Sequence, residues 1–327
     1  MTTWSMRFDM RMPDFLTASA ADHYRGALEL ASYADAHGCT SIMVSEHHQS
    51  EDGYLPDALM MAMAIAAVTS RATLAIGALI LPLHDPIRAA ERTAMVDILS
   101  NGRVLIIVGS GYVAREFAMF GLDVHDRARL MEEKLPLYLA ALSGEPFEHL
   151  GTTAQATPRC VQRPRPTVLL GGTAPAVARR AARLADGFNP IVDDPSLAEV
   201  YRDECVALGK DPGIVVGGGE VAPVLFLTDD VDAEWERLAP YLLHEANMYA
   251  SWAAAAGDNE HLYRPVDDIT GVQALDMHRV MTPDECVEYL RAGHDASFHP
   301  LAGGNPVAEA EKNLRCFVEI VLPAVRS

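Results

Sequence analysis

Short apolar runs alternate with helical patterns along almost the whole chain, and this alternation constrains the fold more than any other feature. Runs rich in β-branched and aliphatic residues predict strands at residues 5–12, 41–44, 73–81, 104–108, 167–170, 187–192, 214–227 and 296–301. Helical spacing, capping residues and first-turn prolines predict helices at residues 20–37, 57–69, 86–99, 126–142, 175–185, 197–208, 232–248, 282–291 and 307–325. About eight strand–helix units in near-strict order predict an α/β protein, a (β/α)8 TIM barrel with insertions.

A doubly wound open sheet is the main competing architecture. It usually has fewer strands and a dinucleotide fingerprint after its first strand, and this sequence has none there. Two segments interrupt the alternation: residues 144–166 are rich in Pro, Thr and Gly, and residues 249–281 read as an insertion or lid. Half of the 327 residues are apolar, so we expect a single domain over residues 1–327 with these two excursions.

The charge balance restricts the partners. Lys and Arg number 26 against 45 Asp and Glu, which gives a net charge of −19 and argues against nucleic acid and anionic membranes. Apolar stretches are interrupted too early to span a bilayer, and the N-terminal residues lack the apolar region of a signal peptide. The five Cys are scattered without CxxC spacing, which favours reduced thiols in a cytoplasmic protein.

Four predicted strand ends carry unusual residues: Glu46-His47-His48, Gly77-Ala78, Gly109-Ser110-Gly111 and Gly171-Gly172-Thr173. In a parallel barrel all four lie on one rim, where active sites are built. Glycines let backbone N–H groups approach an anion, and a helix N-terminus attracts negative charge, so Gly171–Thr173 suits a phosphate. The competing interpretations are a solvated loop for the histidines and simple tight turns for the glycines.

Three other patterns look functional but are not favoured. Gly109 to Ala114 imitates a GxGxxA fingerprint, yet it lies deep in the chain, with no prompt helix and no acidic residue after a following strand. His244-Glu245 lacks the second His of a zinc protease, because Met248 stands at that position. A metal site at Glu46–His48 is also not favoured, since adjacent residues on a strand point to opposite faces, and we predict no metal.

The chain resembles the luciferase-like monooxygenases, which use FMN or the deazaflavin F420. The resemblance rests on motifs that follow one another in the family's order over most of the chain. They are Ser45–His48, Leu81–Pro86, Asp97–Arg103, Glu116-Phe117 with Phe120-Gly121, Val161–Pro164, Gly171–Thr173 and Ala181–Gly187. Each motif alone is weak, but together they are quite specific. Residues 249–281 match no pattern of the family.

The resemblance implies a flavin over the C-terminal mouth of the barrel. It also implies a non-proline cis peptide at the end of strand three, which by position is Gly77-Ala78. The phosphate is expected on Gly109, Ser110, Gly111 and Tyr112 and on Gly171, Gly172 and Thr173. His47 matches the family's active-site His and is expected to donate a hydrogen bond or proton to the reacting flavin or the substrate. Glu46 is expected to orient its neighbours.

One departure leaves the cofactor open. Bacterial luciferases place an Arg where this chain has Ser110, so the phosphate is expected to rely on backbone donors here. The first interpretation is an FMN-dependent monooxygenase that receives reduced flavin from a separate flavin reductase and acts with O2 on a small molecule. The alternative is an F420-dependent oxidoreductase that transfers hydride without O2. A third interpretation is a flavin-binding protein without catalysis, against which the intact Glu-His-His weighs.

The substrate itself is not encoded in a readable motif. We expect residues 49–55 and 249–281 to roof the pocket, with His48, Tyr54, Trp252 and Phe298 among its walls, although each of these side chains also suits packing. The family is usually dimeric through helices near residues 57–69 and 88–99, so the resemblance implies a homodimer.

Overall fold

The computed structural model describes residues 3–217, 222–257 and 262–326. The strands of these residues are β1 (Trp4–Phe8), β2 (Ser41–Val44), β3 (Thr73–Ile80), β4 (Val104–Gly109), β5 (Phe147–His149), β6 (Thr152–Ala154), β7 (Thr167–Gly172), β8 (Gly187–Pro190), β9 (Ile214–Val215), β10 (Val224–Leu227), β11 (His278–Met281) and β12 (Ala296–Phe298). The helices are α1 (Ala20–Ala36), α2 (Ala58–Val68), α3 (Pro86–Ser100), α4 (Ala114–Met119), α5 (Arg127–Leu142), α6 (Pro175–Leu184), α7 (Pro195–Ala207), α8 (Val231–Ala255), α9 (Ile269–Ala274), α10 (Pro283–Arg291), α11 (Val307–Cys316) and α12 (Leu322–Arg326).

Ten of these strands form one sheet in the order β11-β10-β12-β1-β2-β3-β4-β7-β8-β9. All of its pairings are parallel. Helices separate the consecutive strands of this sheet, except that the described residues between β9 and β10 contain no helix. From β12 through β1 to β9 the strands follow one another as they do in a (β/α)8 barrel, whereas β11 lies outside β10. This confirms the predicted α/β class and barrel architecture, although the described residues contain no strand pairing that closes the sheet between β9 and β11.

The helices begin where the capping residues predicted them. Ser19, Asp57 and Asp85 each accept a hydrogen bond from a backbone N–H in the first turn of α1, α2 and α3. Thr282 and Glu285 form a reciprocal capping box at the start of α10. Asn101, which has a positive φ of 57°, ends α3 in a left-handed turn. Capping hydrogen bonds between residues close in sequence therefore define these helix boundaries.

The two predicted excursions differ in outcome. Residues 144–166 lie outside the main sheet and contain the antiparallel hairpin of β5 and β6, as expected. The interpretation of residues 249–281 as one insertion needs correction. Helix α8 continues to Ala255 because the Ala-rich residues after Met248 are good helix formers, and residues 278–281 form β11, which pairs with β10. Residues 258–261, in the middle of this segment, lie outside the described residues.

Three smaller differences affect the site. The predicted strand at residues 214–227 is divided into β9 and β10, and residues 218–221 between them are not described. The prediction that no helix follows Gly109–Gly111 promptly is wrong, because α4 begins at Ala114. The closing helix is interrupted by a π-helical turn at Phe317–Val321.

Among the described residues, the structure contains no helix that is both long and apolar enough to cross a membrane.

Candidate active site at the strand ends

The four unusual strand ends meet on one edge of the sheet. Strands β2, β3, β4 and β7 are successive neighbours, with Val44 opposite Ile76, Ile80 opposite Gly109, and Val108 opposite Leu170. Because all four run parallel, the residues after their C-terminal ends lie side by side. Segments that are far apart in the sequence therefore border one region at the mouth of the barrel.

The end of β3 forms the centre of this region. The Gly77-Ala78 peptide is cis, which confirms the expectation for this position. Both residues are half-buried, and the side chains of Met43 and Ile107 lie next to Gly77. A Cβ atom added at Gly109 would lie 2.9 Å from the Cβ of Ala78, so the ends of β3 and β4 approach each other more closely than two side chains allow.

The remaining glycine segments lie at the ends of β4 and β7. Gly111 has a φ of +71°, which a residue with a side chain adopts only with strain, and Ser110 and Tyr112 beside it are half-buried. Gly171 and Gly172 end β7, and the exposed Thr173 follows them. Ala174 then caps α6 without a side-chain hydrogen bond, and its carbonyl accepts from the N–H groups of Val177 and Ala178, so this helix start offers an anion mainly the positive end of the helix dipole.

His47 forms a buried pair with Glu116, and sequence reasoning missed this pair. The distance from His47 Nδ1 to Glu116 Oε1 is 2.7 Å, and the same oxygen accepts from the backbone N–H of His48 at 3.1 Å. An ionised carboxylate only accepts, so Nδ1 carries the proton and Nε2 is the ring nitrogen left for a ligand. Glu116 lies in α4 within the Glu-Phe motif, which served only as a marker of resemblance.

Aromatic side chains surround the His47 ring. Tyr54 and Trp252 lie with ring centroids 4.8 Å and 4.6 Å from it, as expected for residues near the site, and both are buried. The Tyr54 hydroxyl bonds to Ser45 and Tyr249, and burial is the main cause that raises the pKa of Tyr54 well above its usual range. Tyr54 therefore stays a neutral phenol that packs against the imidazole.

Glu46 and His48 point to the other side of this loop. Glu46 Oε1 accepts from the Ile80 backbone N–H at 2.8 Å and lies 2.7 Å from His84 Nε2. This carboxylate therefore ties the end of β2 to the segment that follows Gly77-Ala78, which is an orienting contact. His48 packs against Phe120, and burial lowers its pKa although Glu46 and Glu116 oppose this shift. His48 is therefore neutral at physiological pH.

Phe298 does not lie with the other predicted wall residues. Its ring is fully buried and contacts Trp4 and Phe317 at centroid distances of 5.9 Å and 4.7 Å. In register it lies opposite Met6 of β1, on the face that packs against the C-terminal helices. We therefore attribute Phe298 to the hydrophobic core and do not carry it forward as a substrate contact.

Comparison with known proteins identifies the family. The sequence model of the luciferase-like monooxygenases matches residues 6–299. The chain belongs to this family. An F420-dependent glucose-6-phosphate dehydrogenase of Amycolatopsis mediterranei is 27% identical over 93% of this chain and 95% of that protein. The oxygenase component of a flavin-dependent trigonelline monooxygenase of Acinetobacter baylyi is 28% identical over 92% of this chain and 89% of that protein.

A solved structure supports the fold assignment. The oxygenating constituent of 3,6-diketocamphane monooxygenase of Pseudomonas putida, in complex with FMN, has a TM-score of 0.67 over 99% of both chains at 20% identity. Relatives within the luciferase-like family thus use FMN or F420. In this chain the glycines of the strand ends are closely packed, since a Cβ atom added at Gly111 would lie 2.8 Å from Ile80 Cγ2 and one added at Gly172 would lie 2.6 Å from Val177 Cγ1. The half-buried residues of these strand ends that could meet such a group are Gly77-Ala78, Ser110 and Tyr112.

Helix α8 crosses the strand ends and is held there by buried charges. Arg7 Nη2 lies 3.2 Å from Glu245 Oε1, and His299 lies 3.3 Å from Asp9 and 3.7 Å from Glu245. Burial opposes ionisation, but His299 and Arg7 hold the pKa of Glu245 well below its usual range. Burial also lowers the pKa of His299, yet the carboxylates of Asp9 and Glu245 raise it overall. Both partners are therefore charged, and the network fixes α8 against β1 and the end of β12.

Two clusters gather atoms that resemble metal ligands. They are Glu46, His48 and His84, and Asp9, Glu245 and His299, each with ligand atoms within 4.8 Å of one another. In both clusters a carboxylate already pairs with an imidazole and with a further N–H donor. These contacts account for the paired carboxylates, whereas Nε2 of His48 is buried without a hydrogen-bond partner among the described residues. His47 belongs to neither cluster.

A separate cavity of about 720 Å³ lies at the edge of the sheet. It is bordered by β11, α10 and the residue Trp235 of α8, and none of the predicted site residues lines it. Since it has no glycine segments and lies away from the His47–Glu116 pair, we place the candidate active site at the strand ends.

Proposed function

We propose that this protein is a flavin-dependent monooxygenase that uses O2 and reduced FMN from a separate reductase to oxygenate a small organic substrate. The observation that carries the proposal is the His47–Glu116 pair beside the Gly77-Ala78 platform. An imidazole whose tautomer is fixed by a carboxylate can hold or donate a proton at Nε2 close to neutral pH. This arrangement suits a reaction in which charge develops next to the flavin.

The residues expected to hold the cofactor are those of the strand ends. Gly77 and Ala78 would back the flavin ring. Backbone N–H groups and the Ser110 hydroxyl of Gly109–Tyr112, together with Gly171–Thr173 and the start of α6, would bind the phosphate. When bound, the flavin supplies the redox chemistry and the reaction with O2, and the protein supplies orientation and exclusion of water. Glu46 acts as a positioning residue through Ile80 and His84.

Tyr54 and Trp252 are the residues proposed to face the substrate side. His48 was also expected there, but it points to the other side of the loop and packs against Phe120. Tyr54 and Trp252 pack on the His47 ring, so a substrate near His47 Nε2 lies within reach of both aromatic groups. Their burial indicates that a substrate enters between side chains that are in contact in the free protein. The reductase is proposed because the trigonelline relative is named as one component of a larger system.

An F420-dependent oxidoreductase is the second candidate. It is supported by the F420-dependent dehydrogenase relative, which aligns along 93% of this chain. The same His47–Glu116 pair would then take the proton from an alcohol or give a proton to a carbonyl oxygen, and the deazaflavin would supply the hydride chemistry. A flavin-binding protein without catalysis is disfavoured because the buried contact with Glu116 fixes the orientation and tautomer of the His47 imidazole.

An anaerobic titration followed by oxygenation tests these alternatives. The protein is titrated with reduced FMN and with reduced F420, mixed with labelled ¹⁸O2 and candidate small molecules, and the products are analysed by mass spectrometry. The proposal expects binding of reduced FMN and a product that contains one labelled oxygen atom. Tight binding of reduced F420 alone, with no label in any product, would support the second candidate and reject the first.

A further inference from the structure

Arg115, the second residue of α4, has no partner for its charge. It is half-buried, and it forms no hydrogen bond or ion pair with any described residue. Its Nε and Nη2 atoms are buried without a hydrogen-bond partner, whereas Nη1 is not among the buried unpartnered atoms. Buried donors without acceptors are costly, and a guanidinium is one of the most demanding donor groups. Arg115 is therefore poorly explained as a structural residue.

The guanidinium of Arg115 lies over the Trp252 ring, with Cζ 5.4 Å from the ring centroid. Arg11 also stacks on Trp252, at 4.9 Å, but it differs from Arg115 because it pairs with the carboxylates of Asp9 and Asp52. Two guanidinium groups thus contact one indole, and only Arg11 is neutralised by ion pairs. Glu116, the residue after Arg115, directs its Oε1 to His47 and makes no ion pair with Arg115.

The buried polar atoms of Arg115 and Trp252 that lack partners are all donors. Besides Nε and Nη2 of Arg115, the indole Nε1 of Trp252 is buried and unpartnered. A ligand that satisfies these atoms has to bring acceptors, and a carboxylate or a similar planar oxyanion matches the fork of a guanidinium in two hydrogen bonds.

We propose that Arg115 binds an anionic group of the substrate, so that the substrate class is a small organic acid. This inference rests on the proposed function and specifies its substrate. The guanidinium lies on the His47 side of the site, because its stacking partner Trp252 is 4.6 Å from the His47 ring. The cofactor phosphate is expected on Gly109–Tyr112 and Gly171–Thr173. Because Arg115 follows the first of these segments, the binding of FMN has to be compared with that of riboflavin to separate the two anions. The anion thus anchors the substrate beside His47, the group that handles the proton.

Binding to the flavin-free protein tests the inference separately from the oxygenation reaction. Benzoate and its uncharged analogue benzamide are titrated by calorimetry, with the quenching of tryptophan fluorescence as a second signal, and acetate serves as a smaller probe. We expect the wild type to bind benzoate at least ten times more tightly than benzamide. Arg115→Gln should lose this preference, and Arg115→Lys, which keeps the charge but not the fork, should recover part of it. The control Arg25→Gln removes one exposed positive charge from α1 and should bind as the wild type does.

Three results would overturn the inference. The first is equal binding of carboxylates by the wild type and Arg115→Gln, and the second is no binding of either benzoate or acetate by the wild type. The third concerns the source of the anion. If Arg115→Gln weakens binding of FMN ten-fold and leaves binding of riboflavin unchanged, Arg115 serves the cofactor phosphate. None of the carboxylate titrations uses flavin or O2. A negative result in them therefore does not contradict the oxygenation proposal, and a negative oxygenation result does not contradict carboxylate binding by Arg115.

Discussion

His47 and Glu116 are the residues on which the proposed chemistry depends most directly. Their contact joins the end of β2 to α4, and it assigns the proton of the imidazole to Nδ1. A carboxylate in this role keeps the ring in one orientation and one tautomer, so that Nε2 faces the ligand. Substitution of Glu116 therefore tests the orientation of the imidazole ring, and substitution of His47 tests its presence.

We predict that His47→Gln lowers turnover by about 10²–10⁴-fold, the usual contribution of a positioned acid or base. Glu116→Gln should lower turnover less, because the imidazole remains while its tautomer is no longer fixed. Single-turnover product assays with a substrate of the wild type would measure both effects. The affinity for the flavin, measured by fluorescence titration, should change little, and the exposed His125→Gln should behave as the wild type does. A His47→Gln protein with unchanged turnover would contradict an acid–base role.

At the residue scale, the sequence predicted the site residues that directly follow strands. It did not predict the residues from other elements that contact them. His47 and the glycines were predictable because their positions after apolar runs are local features. Glu116 was not, because its partner lies 69 residues away and the helix that carries it was not expected. Phe298 was placed in the pocket wrongly, since a three-residue strand does not reveal which of its faces points to the helices.

At the scale of elements, the Asp97–Arg103 motif, one of those that revealed the family, proves to be structural. Asp97 of α3 accepts hydrogen bonds from the backbone N–H groups of Val161 and Gln162. Arg103 donates to backbone carbonyls of Ser100, Ala72 and Thr69. These contacts hold the segments before β3, β4 and β7 in place, at the opposite end of the strands from the site. The motif thus identifies the scaffold and gives no information about the substrate.

Asp35 provides the same kind of support and leads to a prediction about pH. Its carboxylate accepts from the backbone N–H groups of Ser70, Arg71 and Ala72 at 2.7–2.8 Å. Burial alone raises its pKa, but these N–H groups outweigh burial and lower it below the usual 3.8. A lowered pKa means that the stabilisation is present at neutral pH and is lost as pH falls through the lowered value.

We therefore expect Asp35→Asn to reduce the free energy of unfolding by about 1–3 kcal/mol at pH 7, because one acceptor oxygen and the charge are lost. The loss should shrink as the pH is lowered below about 4, where the aspartate of the wild type begins to be protonated. Urea unfolding at a series of pH values would measure this. Asp203→Asn on the exposed face of α7 is the matched control and should show no such effect. An equal loss at every pH would contradict the assignment.

Helix α8 shows what sequence patterns missed at this scale. The aromatic and charged residues after Met248 suggested a lid, but the Ala-rich residues among them continue α8 to Ala255. The buried pairs of Glu245 with Arg7 and His299 help to determine that this helix crosses the strand ends. Glu245 and Arg7 are 238 positions apart, and such contacts are not predictable from local periodicity.

At the scale of the whole molecule, the expected homodimer is a prediction that concerns the surface of the chain. Large apolar side chains are exposed on the neighbouring helices α2 and α3: Met60 is 67% exposed, Leu99 49% and Met95 48%. Exposed apolar side chains that cluster on adjacent helices commonly mark an interface between subunits. This surface coincides with the helices through which the sequence resemblance implies a dimer.

We predict a dimer in solution that dissociates when Met60 and Leu99 are both replaced by Lys. Two charges buried in an apolar interface would cost more than the contact gains. Sedimentation equilibrium of the wild type and the double variant gives the molar masses directly. Val206→Lys on α7 changes an equally exposed apolar residue elsewhere and should remain dimeric. A monomeric wild type, or a double variant with the mass of the wild type, would contradict the prediction.

The crossing of α8 over the strand ends has a consequence for how this scaffold can diversify. The proposed cofactor contacts come from residues 77–112 and 171–173, whereas Tyr249, Trp252 and the anchoring Glu245 come from one later helix. Substitutions in that helix can reshape the chamber above the imidazole while the platform for the ring stays intact. Selection for new substrates can therefore change the residues of this one helix while the proposed contacts to the flavin stay the same.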